Sequence, residues 1–367
     1  MADINIIISS IFLGLFFLLF SLMVYQSIRK QRKAYLLTIS LFLGSIGGII
    51  SIFDIIRDSL GIQHRYFLFL ALVIASISYY LIYLFFEQLI EERPNRIRLV
   101  IASIFLFSSI IFNQLFFYFA YYSNIETSYV KAIEILWDIS YDALGLFIFI
   151  FGAYVHFKSY HINKEWIPLV QAISLIFISI GFIFGFLSDV ISLSIPKIGD
   201  ILKIVGIVAF SGVYIVRIDY IYRLPVNVYF ILIFTQSGLN IHISQTHLVS
   251  EEVDLDVTEK QYDEKLLSGV ITAISNLLKE SLGSREQLEK IVSGDREIIL
   301  DSGEIATCAI LCDRSTFFLH RSLVDLRKSI EKKYKLELTK TIIHKADFIE
   351  LSTIIQQTFP FLVIEEV

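Results

Sequence analysis

Seven apolar runs, each about 20 residues or longer, fill most of the chain as far as residue 221. They fall at 4–27, 35–57, 66–90, 97–123, 130–156, 166–190 and 200–221. A helix of that length crosses the hydrocarbon of a bilayer, and only a helix or a closed barrel can hide its backbone polar groups there. The connecting segments are short, so the helices are expected to pack as one bundle. The lipid bilayer is the first expected partner. The first run has no positive segment ahead of it and RKQRK (Arg29 to Lys33) behind it, which is the wrong order for a cleaved signal peptide.

The pattern changes at 212–234, GVYIVRIDYIYRLPVNVYFILIF. Here Arg217, Asp219, Arg223 and Pro225 interrupt the apolar sequence. The spacing predicts two domains, a transmembrane bundle over 1–224 and a soluble α+β domain over 225–367. Arg217, Arg223 and Pro225 mark the junction through which the halves would be coupled.

Charge separates the halves too. Residues 1–225 hold 16 Lys+Arg and 14 Asp+Glu, whereas 226–367 hold 15 and 22. An acidic soluble part excludes nucleic acid, whose phosphates need a basic face. Positive residues crowd alternate loops: Arg29 to Lys33, then Arg93, Arg96 and Arg98, then Lys158 and Lys164, then Arg217 and Arg223. The positive-inside rule therefore puts the N-terminus outside and the C-terminal domain in the cytoplasm of a multi-pass cell-membrane protein.

Polar residues within spans matter most, because lipid penalises them. They gather in the outer halves: Asn113 in the fourth span, Trp137, Asp138, Tyr141 and Asp142 in the fifth, and Lys203 in the seventh. Asp138 and Asp142 are four apart and share a helix face. At 1.5 Å per residue, Asp142 lies roughly 18 Å below a helix start at 130, near mid-bilayer. The six residues predict an outward-facing, aromatic-walled pocket for an unknown small ligand. The competing reading is structural, with Asp142 satisfied by Lys203, Arg57 or a hydroxyl. GSIGG (Gly44 to Gly48) is read either as a point of close helix approach or as a flexible patch.

Chemistry is sparse. No Walker, Rossmann or nucleophile-elbow motif occurs, and nothing calls for a cofactor. Cys308 and Cys312 form a C-x3-C pair with no further cysteines, which is neither a zinc signature nor a disulfide framework. No catalytic or metal-binding residue is assigned, and the chain is not expected to be an enzyme. Asp138 and Asp142 leave one enzymatic alternative, since paired carboxylates can do acid–base work.

The soluble half reads in order as strand (228–234), strand (239–245), helix (262–283), three strands (288–293, 296–301, 304–312), helix (316–334) and helix (347–358). That is one five-stranded antiparallel sheet with helices. Leu267, Val270, Ile271, Ile274, Leu277 and Leu278 recur at helical spacing, and Gly269 is read as allowing this face to pack closely on the sheet or, alternatively, as a partner contact.

With this order, the hairpin IFTQSGLNI, the helix motif LLSGVITAI and the run ATCAILCDRS ahead of LVDLRKSIEKKY, the segment 226–345 resembles the longin/roadblock superfamily. The resemblance implies a homodimerising or protein-docking platform, with small GTPases among its partners. The seven-helix half is similar in topology to extracellular-sensing membrane modules. Together they imply a receptor or sensor. A membrane scaffold and a transporter with a regulatory domain stand as alternatives, the latter weakened by the lack of an inverted repeat.

Overall fold

Apolar runs of span length become helices, and the alternating segments beyond them become a sheet. The computed structural model describes residues 2–29, 34–59, 66–122, 127–191, 198–216, 225–247, 269–270, 273–274, 288–294, 296–340, 345–359 and 363–366. These divide into two compact units, one built on the long helices and one on the sheet.

The helical unit contains α1 (Ala2–Arg29), α2 (Tyr35–Ser59), α3 (Tyr66–Ile90), α4 (Arg96–Tyr122), α5 (Thr127–Asn163), α6 (Trp166–Ile191) and α7 (Ile198–Val216). Among the described residues, five helices are long and apolar enough to cross a membrane, α2 to α6, and α1 adds a shorter apolar stretch, Leu13–Tyr25. They mark this unit as membrane-embedded. At 37 residues, α5 is roughly 55 Å long, well beyond the hydrocarbon thickness and longer than the expected span 130–156.

Large apolar side chains such as Phe17, Phe107 and Ile104 stand exposed on its outside. Small polar groups are buried and paired between helices. Ser40 and Ser78 each donate to the other's backbone carbonyl, at 3.0 and 2.9 Å. Ser76 meets Ser109 at 3.1 Å. The GSIGG stretch is a contact: a Cβ at Gly44 or Gly48 would stand 3.1 Å from Phe16 or 3.3 Å from Leu13, both on α1.

A buried carboxylate closes the α3–α4 turn. Glu87 is fully buried, and Arg98 donates to it through Nε at 2.6 Å and Nη2 at 2.9 Å. Tyr83 donates its hydroxyl to the same group at 2.7 Å. The guanidinium also sits 5.0 Å over the Phe151 ring.

In the sheet unit all five expected strands are present: β1 (Val228–Thr235), β2 (Asn240–His247), β3 (Lys290–Ser293), β4 (Arg296–Ser302) and β5 (Ala306–Cys312). The expected five-stranded sheet is in fact six-stranded, because β6 (Val363–Glu366) pairs with β2. Strand order is β3-β4-β5-β1-β2-β6, all antiparallel. Central β5 is buried at every residue, as is β1 from Ile231 to Thr235, which fits their unbroken apolar sequences. The β3–β4 turn is made by Gly294 at φ 63°, a left-handed conformation that suits glycine.

Helix α8 (Phe317–Lys333) buries Leu319, Leu323, Leu326 and Ile330, as its spacing predicts. Thr316 caps it by accepting from Leu319 N at 3.2 Å. The other sheet face carries a cluster of Leu232, Phe234, Ile243, Leu300 and Ala309. The last expected helix, 347–358, is shorter: a 3₁₀ turn (Lys345–Phe348) precedes α9 (Leu351–Thr358), which starts at Glu350 without a side-chain cap.

The helix expected at 262–283 lies mostly outside the described residues. Gly269, Val270, Ala273 and Ile274 are described and helical, yet exposed, and a Cβ at Gly269 would meet nothing within 4 Å. Val270 and Ile274 therefore do not face the sheet, and Gly269 is not a packing contact. The sequence carries one apolar stripe on this helix, and periodicity alone does not say what it packs against.

Candidate functional site: a polar and aromatic cluster in the helical unit

Six residues were singled out in the sequence, and the helices bring five of them into one connected set. Asp142 lies on α5 and is buried at 8% exposure. Lys203 lies in the second turn of α7. The two converge on Gly185 of α6: a Cβ built there would sit 3.4 Å from Lys203 Nζ and 3.9 Å from Asp142 Oδ2. Glycine thus leaves a methyl-sized opening bordered by an ammonium and a carboxylate. Lys203 Nζ is also 4.0 Å from Asp200 Oδ1 and 4.4 Å from the centre of the Phe182 ring, a cation–π contact.

Such convergence requires α6 and α7 to lie very close. A Cβ at Gly181 would fall 2.7 Å from the carbonyl oxygen of Gly199, and one at Gly199 would fall 2.8 Å from that of Gly181. Backbone therefore meets backbone at this level. The GFIFG run (Gly181 to Gly185) is a small-xxx-small signal that was open to sequence reading and was missed.

Tyr141 is the link to the rest. Its hydroxyl donates to Tyr79 of α3 at 3.3 Å, and its ring lies 6.3 Å from both Phe182 and Trp137. Trp137 stacks on Phe116 of α4, with centroids 6.2 Å apart and an 8° interplanar angle. Phe116 packs edge-on to Phe69, whose backbone carbonyl accepts from Asn113 Nδ2 at 3.0 Å. Asn113, Trp137, Tyr141, Asp142 and Lys203 are thus connected across α3 to α7. Asp138, one turn above Asp142, is half-buried.

Two buried polar atoms in this set have no hydrogen-bond partner among the described residues: Asn113 Oδ1 and Trp137 Nε1. Buried polar atoms are normally satisfied, so unpaired ones mark places where another polar group would be stabilised. The side chains of Asp54, Asp58, Asp189 and Arg57, the last an expected partner of Asp142, lie outside the described residues.

Tyr79 and Phe182 were not anticipated. The chain has 19 Tyr and 32 Phe, and nothing in the sequence separates these two from the rest. At the junction, Pro225 is buried and precedes β1, while Arg217 and Arg223 lie outside the described residues. Among the described residues no group of three or more His, Cys, Asp or Glu could hold a metal ion. No protein-family model, curated protein or solved structure matches this chain.

Proposed function

We propose that the chain is a membrane receptor or sensor. In this reading seven helices span the bilayer with the N-terminus outside, and an outward-facing pocket holds a small ligand. The sheet unit is then a cytoplasmic, longin/roadblock-like platform that docks a partner such as a small GTPase or dimerises. The observation that carries the reading is the convergence of Asp142 and Lys203 on Gly185. A carboxylate and an ammonium placed inside a membrane-embedded bundle are costly there and mark a functional site. The opening adjoins α7, the last helix before the sheet unit in the sequence. A ligand that binds two arrangements of α6 and α7 unequally would shift the balance between them. The strand and helix order of residues 226–345 supports the platform half of the reading.

The test uses the full chain in lipid nanodiscs. Gly185→Ala places a methyl between Lys203 and Asp142, mimicking an occupied opening. Amide hydrogen exchange is compared between this variant and the wild type. A receptor shows altered exchange in α7 and also in β1 and β2. Changes confined to the helices would favour a plain membrane anchor. Nucleotide-dependent capture of small GTPases by the same nanodiscs tests the docking role.

A further inference from the structure

The sheet unit takes in a turn that follows one of the long helices, Gln88–Arg93, and with it a pocket of about 310 Å³. One wall is Glu92 and Arg93 of that turn. The other is α8, which contributes Phe317, His320, Arg321, Val324, Asp325 and Lys328. These six recur every three or four residues, so they form one stripe along the helix. It is not the stripe of Leu319, Leu323, Leu326 and Ile330, which is buried. Helix α8 thus packs with one face and lines a pocket with another.

Charge in this pocket is not paired off. Arg93, His320 and Lys328 make no side-chain hydrogen bond or ion pair among the described residues. Other cations of the unit are engaged: Arg327 with Asp301 and Glu331, Lys290 with Glu297, Lys340 with Asp347. Two carboxylates share the pocket. Glu92 accepts from Ser315 Oγ through Oε2 at 3.3 Å, and Asp325 lies three residues before Lys328. Arg93, Arg321 and Lys328 outnumber Glu92 and Asp325, so the surplus is positive, and a protonated His320 adds to it.

Position selects among anions. Helices α3 and α4 are both long and apolar enough to cross a membrane, over Phe69–Ile90 and Arg96–Ala120. Arg93 stands three residues beyond the first span and three before the second. A turn this short stays close to the head-group layer, which adds about 5 to 7 Å on each side of the hydrocarbon. The anions of that layer are mainly lipid phosphates, which Arg binds as a fork and Lys as a point charge. Phe317 and Val324 add an apolar flank on which the glycerol end of a lipid can rest.

We infer that the pocket binds a lipid head group through a terminal phosphate, a phosphomonoester such as that of phosphatidate. Arg93 holds it from the turn, and Lys328 and His320 hold it from α8. A monoester offers three non-bridging oxygens to the two walls, whereas a diester offers two. The inference rests on the membrane placement of α3 and α4 and makes no use of the receptor reading.

The experiment releases the full chain from nanodiscs into a mass spectrometer under native conditions and weighs the lipid that stays bound. The nanodiscs hold equal amounts of phosphatidate, phosphatidylglycerol, phosphatidylserine and phosphatidylcholine with identical tails. Phosphatidate is expected to be retained at least tenfold more than the others. Arg93→Gln combined with Lys328→Gln should lose that preference. Lys332→Gln combined with Lys335→Gln removes the same charge from exposed positions outside the pocket and should keep it. Val324→Trp fills the pocket without altering charge and should act like the first pair, and it replaces that pair should the pair fail to fold. Glycerol 3-phosphate separates the two sources of phosphate. A lipid site yields to it only in large excess, whereas displacement at matching concentration sustains the phosphate site and makes its ligand a soluble one.

Equal retention of phosphatidylglycerol and phosphatidylserine would reduce the pocket to a general attraction for anions and overturn the inference. An equal loss from the Lys332 and Lys335 variant would do the same. So would a preference untouched by Val324→Trp and by the Arg93 and Lys328 variant.

Discussion

The two units solve the problem of charge in opposite ways. In the helical unit Glu87 is fully buried, and four hydrogen bonds from Tyr83, Asn95 and Arg98 converge on it. In the sheet unit Lys333 and Glu350 pair across the surface with both side chains largely exposed. Exposed Phe and Ile are ordinary on the first unit, where lipid is the solvent, and few on the second. Residue type alone therefore says little about stability. A carboxylate that is dispensable on one unit holds the other together, because the cost of stranding its partner depends on what surrounds it.

That contrast can be broken by mutation. The largest effect is expected for Glu87→Ala, which strands Arg98 and Tyr83 and should cost about 3 kcal/mol or more. Unfolding of the detergent-solubilised chain against rising SDS measures it, and a loss near zero would remove the contrast. Next comes Gly181→Val, where the new side chain strikes the backbone of α7 at Gly199. Overpacking of this kind costs about 1 to 3 kcal/mol and should appear in the same assay.

A pH effect sharpens the comparison from the sheet side. Burial, then the charges of Glu297 and Asp313, push the Cys312 thiol from 9.0 to about 12. Burial and its hydrogen bond to Asp313 push Tyr229 from 10.0 to about 12. Burial raises the Cys308 thiol as well. Raised values mean that the folded state holds protons the unfolded state releases. Stability is therefore unaffected below pH 9 and falls as pH climbs from 9 towards 12, by roughly 1.4 kcal/mol per unit for one group. Both cysteines lie in the sheet unit, so thiol labelling reports on it alone. Labelling of the folded chain should be slow at pH 8, and the denaturant needed to expose the thiols should drop at pH 10. Smallest of all is Lys333→Ala, expected to leave the midpoint of that labelling transition unchanged.

Helices were legible because an apolar run has ends that a charge or turn can mark. The expected spans and the observed helices mostly agree to within a few residues, except where α5 runs on to Asn163. Asn113, Asp142 and Lys203 stood out for the same reason: polar residues are scarce inside spans. Tyr79 could not be read, because an amphipathic ring is tolerated almost anywhere and only neighbours from other helices give it meaning.

Strand β6 was hidden differently. No strand was expected after the helix at 347–358, and VIEE looks unremarkable until the edge of β2 is known to be available. Val270 and Ile274 were assigned to the sheet on periodicity, which marks an apolar face without naming what covers it. Glu87 was overlooked inside its span, although Arg98 stands only eleven residues further on.

The contact at Gly181 and Gly199 has a mechanical consequence. Side chains between two helices act as springs, since each rotamer change absorbs part of a displacement. Here main chain approaches main chain, and at Gly206 a Cβ would lie 2.6 Å from both the carbonyl oxygen of Ser174 and the Ile178 side chain, so the second contact is equally close. With so little side chain to yield at either point, α6 and α7 are held as a closely packed pair. In the receptor reading proposed above, a push at Lys203 would move α6 and α7 together.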